Sequence, residues 1–257
     1  MSTATDSFLS YWSRFSPNSD SSKSTSFVHP DDANSTYSSY LEDFKTSLLP
    51  IPFVGNLRES EAVILMLNPG LDSEDERWEK EPHFHSALER NLSQIFPAHC
   101  FPNFYLDPDF EKHPGAGYWA KSRRIPGKRD LQKLRSVIDE IAHRDGVSTE
   151  VAQAHVARKV AIVQLAPYHS AKLKKRGALT DLPSVCRARE FVKELVRDES
   201  KLVIAVRSVS EWGFRGPLST RRLVVYMPSQ GASASLSINS EGGRALLAHL
   251  SPASASR

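Results

Sequence analysis

Four short apolar runs constrain the fold of this chain more than any other feature: AVILML (62–67), KVAIVQLA (159–166), KLVIAV (201–206) and RLVVYM (222–227). None alternates polar with apolar residues. A strand with one wet face alternates with a period of two, so an unbroken run reads as a strand covered on both faces, the pattern of a mainly parallel sheet. Helical patterns lie between the runs. In residues 128–145, Leu131, Leu134, Ile138 and Ile141 share one face, and Gly146 stops the helix. In residues 184–197, Val185, Ala188, Val192 and Leu195 do the same. Strand–helix alternation of this kind predicts a three-layer α/β/α sandwich around a short, mainly parallel four-stranded sheet with right-handed crossovers.

In such sheets ligands bind beyond the carboxyl ends of the strands. Three of the four ends are polar turns: Asn68-Pro69-Gly70, Pro167-Tyr168-His169-Ser170 and Met227-Pro228-Ser229; the fourth is Arg207-Ser208. Proline fixes the exit angle of a strand, and glycine lets a ligand approach the backbone. Any one such end is ordinary turn chemistry. Three sharing one rim of a sheet point to a ligand site.

Composition narrows the class. With 257 residues, 40% of them apolar and 25% charged, the chain has the makeup of a soluble globular protein. No apolar run approaches the length of a membrane span, and MSTATDSFLS lacks the basic start and apolar stretch of a secretory signal. Cys100 and Cys186 are the only cysteines, too few for a four-cysteine zinc site or an iron–sulfur cluster, and are expected as reduced thiols in a cytoplasmic protein. The net charge of +3 is compatible with a nucleic-acid partner and demands none. Serine and threonine crowd the N-terminus, so residues 1–37 are expected as a flexible arm, with FLSYWSRF able to dock through its aromatics. Residues 38–249 are expected as one domain and residues 250–257 as a loose tail.

The stretch LNPG closing the first apolar run, followed much later by a run ending in Pro-Ser, resembles the uracil-DNA glycosylase superfamily, nearest to its mismatch-specific uracil/thymine branch. The resemblance covers motif order and spacing over roughly residues 60–250. It implies a doubly wound α/β/α fold, a DNA partner, no cofactor and no metal. By resemblance, Asn68 positions the attacking water, Pro69 and Gly70 shape the backbone around a flipped base, and Met227-Pro228-Ser229 forms the loop that presses on the DNA strand. One departure stands out. Where the family commonly has His or Asn before Pro-Ser, this chain has Met227, whose thioether has no proton to donate.

Hydrolysis of a base–sugar bond builds positive charge on the sugar and negative charge on the departing base, after the base has left the stack. An amide can hold a water but cannot deprotonate it at neutral pH, so Asn68 positions rather than activates. His169, closing the second run, is the candidate to replace the donor that Met227 lacks; the alternative is a capping imidazole at the edge of the core. In the turn Leu71-Asp72-Ser73-Glu74-Asp75-Glu76, Asp72 or Asp75 is a candidate base, against the plainer expectation of acidic residues favoured by a helix N-terminus.

Basic residues cluster at Lys121, Arg123, Arg124, Lys128 and Arg129; at Lys172, Lys174, Lys175 and Arg176; and at Arg215, Arg221 and Arg222. The middle cluster follows PYHS directly and suits phosphate neutralisation, with solvated surface charge as the plain alternative. The Pro- and Gly-rich segment 101–119 reads as an elaborate loop. Tyr105 or Tyr118 from it, and Tyr168, are candidates for a base pocket, against a mini-core that ties the loop down. Asp107 and His113 belong to the same loop without diagnostic spacing. Two functions follow: hydrolysis of uracil or a related damaged or mismatched base from DNA, or a non-catalytic nucleic-acid or nucleotide-binding module that keeps the fold. No GxGxxG, GxxxxGK[ST] or GxSxG pattern is present, which removes the usual dinucleotide, phosphate-loop and serine-hydrolase readings.

Overall fold

A computed structural model of the chain describes residues 3–17, 26–120, 133–172, 181–226 and 236–250. Their centre is a six-stranded mixed sheet of β1 (Phe53–Val54), β2 (Ala62–Met66), β3 (Val160–Gln164), β4 (Leu202–Ala205), β5 (Leu218–Ser219) and β6 (Leu223–Val225), in the order β1-β3-β2-β4-β6-β5. The four apolar runs supply β2, β3, β4 and β6, which pair in parallel, with Ile64 level with both Ile162 and Ile204. Every residue of these four strands is buried, as their lack of alternation requires. The expected four-stranded sheet is corrected at both edges. β1 pairs antiparallel with β3, and β5 antiparallel with β6. Both are two residues long, too short to leave a periodic signature in the sequence.

The helices are α1 (Ala4–Trp12), α2 (Pro30–Ala33), α3 (Asp75–Glu79), α4 (Pro82–Ser93), α5 (Pro114–Trp119), α6 (Arg135–Asp145), α7 (Thr149–Lys159), α8 (Pro183–Asp198) and α9 (Glu241–Leu250). α8 answers to the helix expected over 184–197, and α6 to the latter part of that expected over 128–145: Leu134 is its N-cap, and residues 128–132 lie outside the described residues. α6 ends on Gly146, whose φ of +64° closes it with a left-handed cap. The chain leaves β2 for β3 on one side and then passes from β3 back across to β4. α6, α7 and α9 pack as one group, and α1 with α8 as the other.

Residues 4–12, expected within a flexible arm, instead form a helix docked on the core. Phe8 stacks on Phe191 of α8 at 4.6 Å and meets Phe53 edge-on at 6.0 Å. Thr3 caps this helix by accepting from the Asp6 N–H, and Trp12 is buried. Aromatic burial outweighs the polar composition around it. A second tie follows. Asp32, fully buried, accepts from the Tyr168 hydroxyl at 2.6 Å and from the Ser184 N–H at 2.9 Å, while the His29 N–H donates to the Tyr168 oxygen at 3.1 Å. Neither Cys100 nor Cys186 forms a disulfide. No helix among the described residues is long and apolar enough to cross a membrane.

Candidate active site

The chain departs from β2 toward β3 and from β4 toward β6, so the connections diverge at the carboxyl ends of β2 and β4. Divergence of this kind leaves a crevice that side chains do not fill. A cleft of about 950 Å³ opens there, lined by the loops after β2, β3 and β4 and by α5. Asn68, Pro69 and Gly70 form one wall, His169 and Ser170 the next, and Arg207 and Ser208 a third.

Hydrogen bonds fix the first two walls against each other. Asn68 donates through Nδ2 to the Ser170 carbonyl at 3.0 Å, and the Ser170 N–H donates to the Gly70 carbonyl at 3.1 Å. Gly70 has a φ of +84°, a conformation that a side chain would strain. His169 is aimed by its own ring: Nδ1 lies 3.1 Å from the Gly70 carbonyl, which only accepts, so Nδ1 carries a proton and Nε2 holds the lone pair of the neutral ring. The His169 backbone carbonyl accepts from the Lys45 N–H at 2.8 Å, pinning this stretch from behind.

Asp75, the first residue of α3, enters the same cleft with its side chain 11% exposed. His169 Nδ1 stands 3.7 Å from its Oδ2 and His113 Nε2 3.8 Å from its Oδ1, distances for charge–dipole attraction rather than hydrogen bonds. The Asp72 N–H donates to Oδ2 at 2.7 Å. Burial alone would raise this carboxyl, but His169, the Asp72 N–H and His113 outweigh it and hold Asp75 below the ordinary carboxylate range. Its partner His113 accepts the Gly115 N–H on Nδ1 at 2.9 Å, which leaves the ring proton on Nε2, the atom nearest Asp75. His113 stacks on Phe84 at 4.4 Å and meets Trp78 edge-on. Burial in this aromatic setting pushes its pKa down to about 4.

Two buried polar atoms of the lining residues have no partner among the described residues. Gln164, at the end of β3 and 4% exposed, leaves Oε1 unbonded among the described residues, and Arg207 leaves Nε so. Ser208 beside it holds a left-handed φ of +52°, a strained conformation for a residue with a side chain. Behind the cleft, Lys133 is buried with Nζ 4.5 Å from the Tyr118 ring, and burial and Arg207 lower its pKa to about 7.

The structure thus brings Asn68, Pro69, Gly70, His169, Tyr105 and Lys172 to one cleft. It corrects the part of Tyr105. The ring is enclosed by Phe104, His113 and Gly115, where any Cβ would strike it, so no face is free for stacking. Tyr118 also lines the cleft. Tyr168 is corrected outright: its side chain runs away from the cleft to Asp32, on the opposite side of the extended stretch from His169. Met227, Pro228, Ser229, Lys174 and Lys175 lie outside the described residues, as do Arg176 and the cluster from Lys121 to Arg129. Among the described residues no group of three His, Cys, Asp or Glu side chains is arranged to hold a metal ion. Asp107 caps the turn at Pro108–Phe110 and stands outside the cleft.

Sequence reasoning passed over Gln164 and Arg207. Gln164 had a legible signal, being the one polar residue between Val160 and Ala166 in an otherwise apolar buried run. The pairing of Asp75 with His113 had none, because one opens α3, the other precedes α5, and their meeting depends on the fold. No protein family, no curated protein and no solved structure matches this chain.

Proposed function

We propose that the cleft takes a nucleobase turned out of a DNA strand and that the protein hydrolyses the base–sugar bond in the manner of a uracil-DNA glycosylase, with a uracil-DNA glycosylase-like arrangement of its central parallel strands. The observation that carries this function is Gln164: a buried residue that lines the cleft together with Asn68 and whose side-chain amide oxygen has no partner among the described residues. Buried polar atoms in native proteins are nearly always bonded, and this orphan belongs to a residue that lines the cleft, which supports a polar ligand there. An amide offers one acceptor and two donors, the complement of the adjacent N–H and C=O on uracil, thymine or hypoxanthine. Asn68, whose Nδ2 is committed to Ser170, keeps Oδ1 for a water. His169 directs its ring proton at the Gly70 carbonyl and in this tautomer does not replace the donor that Met227 lacks, while Lys172 offers a charge for the adjoining phosphate.

The test uses labelled oligonucleotides bearing uracil, mismatched thymine, hypoxanthine or alkylated bases, followed by alkaline cleavage at abasic sites. Base release from at least one, abolished in Asn68→Ala with folding intact, is the expected result. Salt-dependent oligonucleotide binding without release from any substrate would select the non-catalytic module instead. Absence of both binding and release would reject the two together.

A further inference from the structure

We propose that Asp75 is the catalytic base of this site, taking the proton of the attacking water, with His113 and His169 as positioning residues that keep its carboxylate charged and aimed into the cleft. This rests on the base–sugar hydrolysis proposed above and supplies the step that Asn68 cannot perform.

Geometry selects Asp75 over its neighbours. Asp72 is exposed, and its Oδ1 is engaged by the Glu74 N–H at 3.0 Å within the turn. Glu74 and Glu76 are ion-paired to Arg77 and Lys45. Asp75 accepts one close hydrogen bond, from the Asp72 N–H, so lone pairs remain on both oxygens for a water in the cleft. The two ring protons that face it come from separate parts of the fold, His113 ahead of α5 and His169 beyond β3. Each ring is oriented by a backbone group: the Gly115 N–H sets the His113 tautomer and the Gly70 carbonyl that of His169. A carboxylate held by outer partners in this way has its lone pairs, rather than its protons, directed at the substrate. Tyr105 and Glu79 also face this charge. Burial raises both, and Asp75 adds to it, although for Glu79 the Leu49 N–H, His169 and His85 pull the other way.

The step balances. One O–H bond of water breaks and its proton passes to an Asp75 oxygen. The freed pair on the water oxygen forms the bond to the sugar C1′, and the C1′–N bond breaks with its pair leaving on the base. The base anion takes a proton from solvent, and Asp75 returns its own to water.

Single-turnover base release from the uracil oligonucleotide, followed against pH, tests this. Asp75→Asn, close to isosteric, is expected to lose about a hundredfold or more in rate while melting temperature and oligonucleotide affinity are kept. Added formate is expected to restore part of the rate in Asp75→Ala, which a merely structural carboxylate would not allow. The acid limb of the wild-type profile is expected below the ordinary carboxylate range, and His113→Phe is expected to move it upward. An Asp75→Asn rate within about threefold of wild type, with Asn68→Ala still inactive, would overturn the role of Asp75 alone. An acid limb in the imidazole range would assign the proton to His169 and overturn it equally. Failure of the wild-type protein to release any base would remove the proposed function and this step with it.

Discussion

His113 carries two burdens at once, a place in an aromatic cluster and a proton aimed at Asp75. Its pKa of about 4 lies below the ordinary imidazole value of 6.5, so between those values the unfolded chain binds a proton that the folded chain refuses. Stability therefore falls as pH drops from 6.5 toward 4 and changes no further below, by about 3 kcal/mol for this group. Urea denaturation at a series of pH values is expected to show that slope in the wild type and a shallower one in His113→Gln. Gln164 divides stability from function in another way. Replacing an orphaned amide by Leu is expected to leave the melting temperature unchanged or raise stability by about 1 kcal/mol, while base release falls. Loss of stability in Gln164→Leu would mean that the amide serves the fold. Gly115 is constrained by contact: an added methyl meets the Tyr105 ring, which its own neighbours hold in place. Gly115→Ala is expected to cost about 1–3 kcal/mol by denaturant titration.

Among the elements, α1 shows how composition misleads. The serines and threonines near it predict a free arm, yet Phe8, Leu9, Tyr11 and Trp12 recur at helical spacing and all are buried. FLSYW carried that spacing in plain sight, and what it docks on, Phe191 of α8, is supplied only by the fold. Phe8→Ala is therefore expected to cost about 3–5 kcal/mol, where a free arm would lose almost nothing. β2, β3, β4 and β6 were legible because complete burial removes alternation. β1 and β5 were not, since two residues carry no period. α7 was missed for a related reason: its inward face is Ala152, Val156 and Ala157, a weak stripe beside the Leu and Ile of α6. The cap at Ser148, accepting from the Val151 N–H at 3.3 Å, was its clearest signal.

At the scale of the whole molecule, the cleft belongs to the sheet more than to any loop. Its place follows from the divergence of the chain at β2 and β4, and its charge is divided: Asp72, Asp75 and Glu211 on part of the rim, Lys172 and Arg207 elsewhere. A phosphate backbone is expected to run along the Lys172 side, away from α3. Lys172→Ala should then weaken oligonucleotide binding for all sequences alike and lower the salt slope by about one. An unchanged slope would place the strand elsewhere. The amino-acid sequence by itself determined the strands that are buried on both faces and the polar ends that close them, because burial and turn chemistry are written in neighbouring residues. It therefore located Asn68 and His169 beforehand. Only the tertiary structure decided that Asp75 meets His113 and His169, that Tyr168 faces Asp32 instead of the cleft, and that the Tyr105 ring is enclosed. Those outcomes depend on which residues distant in the chain share a volume, and no local pattern records that.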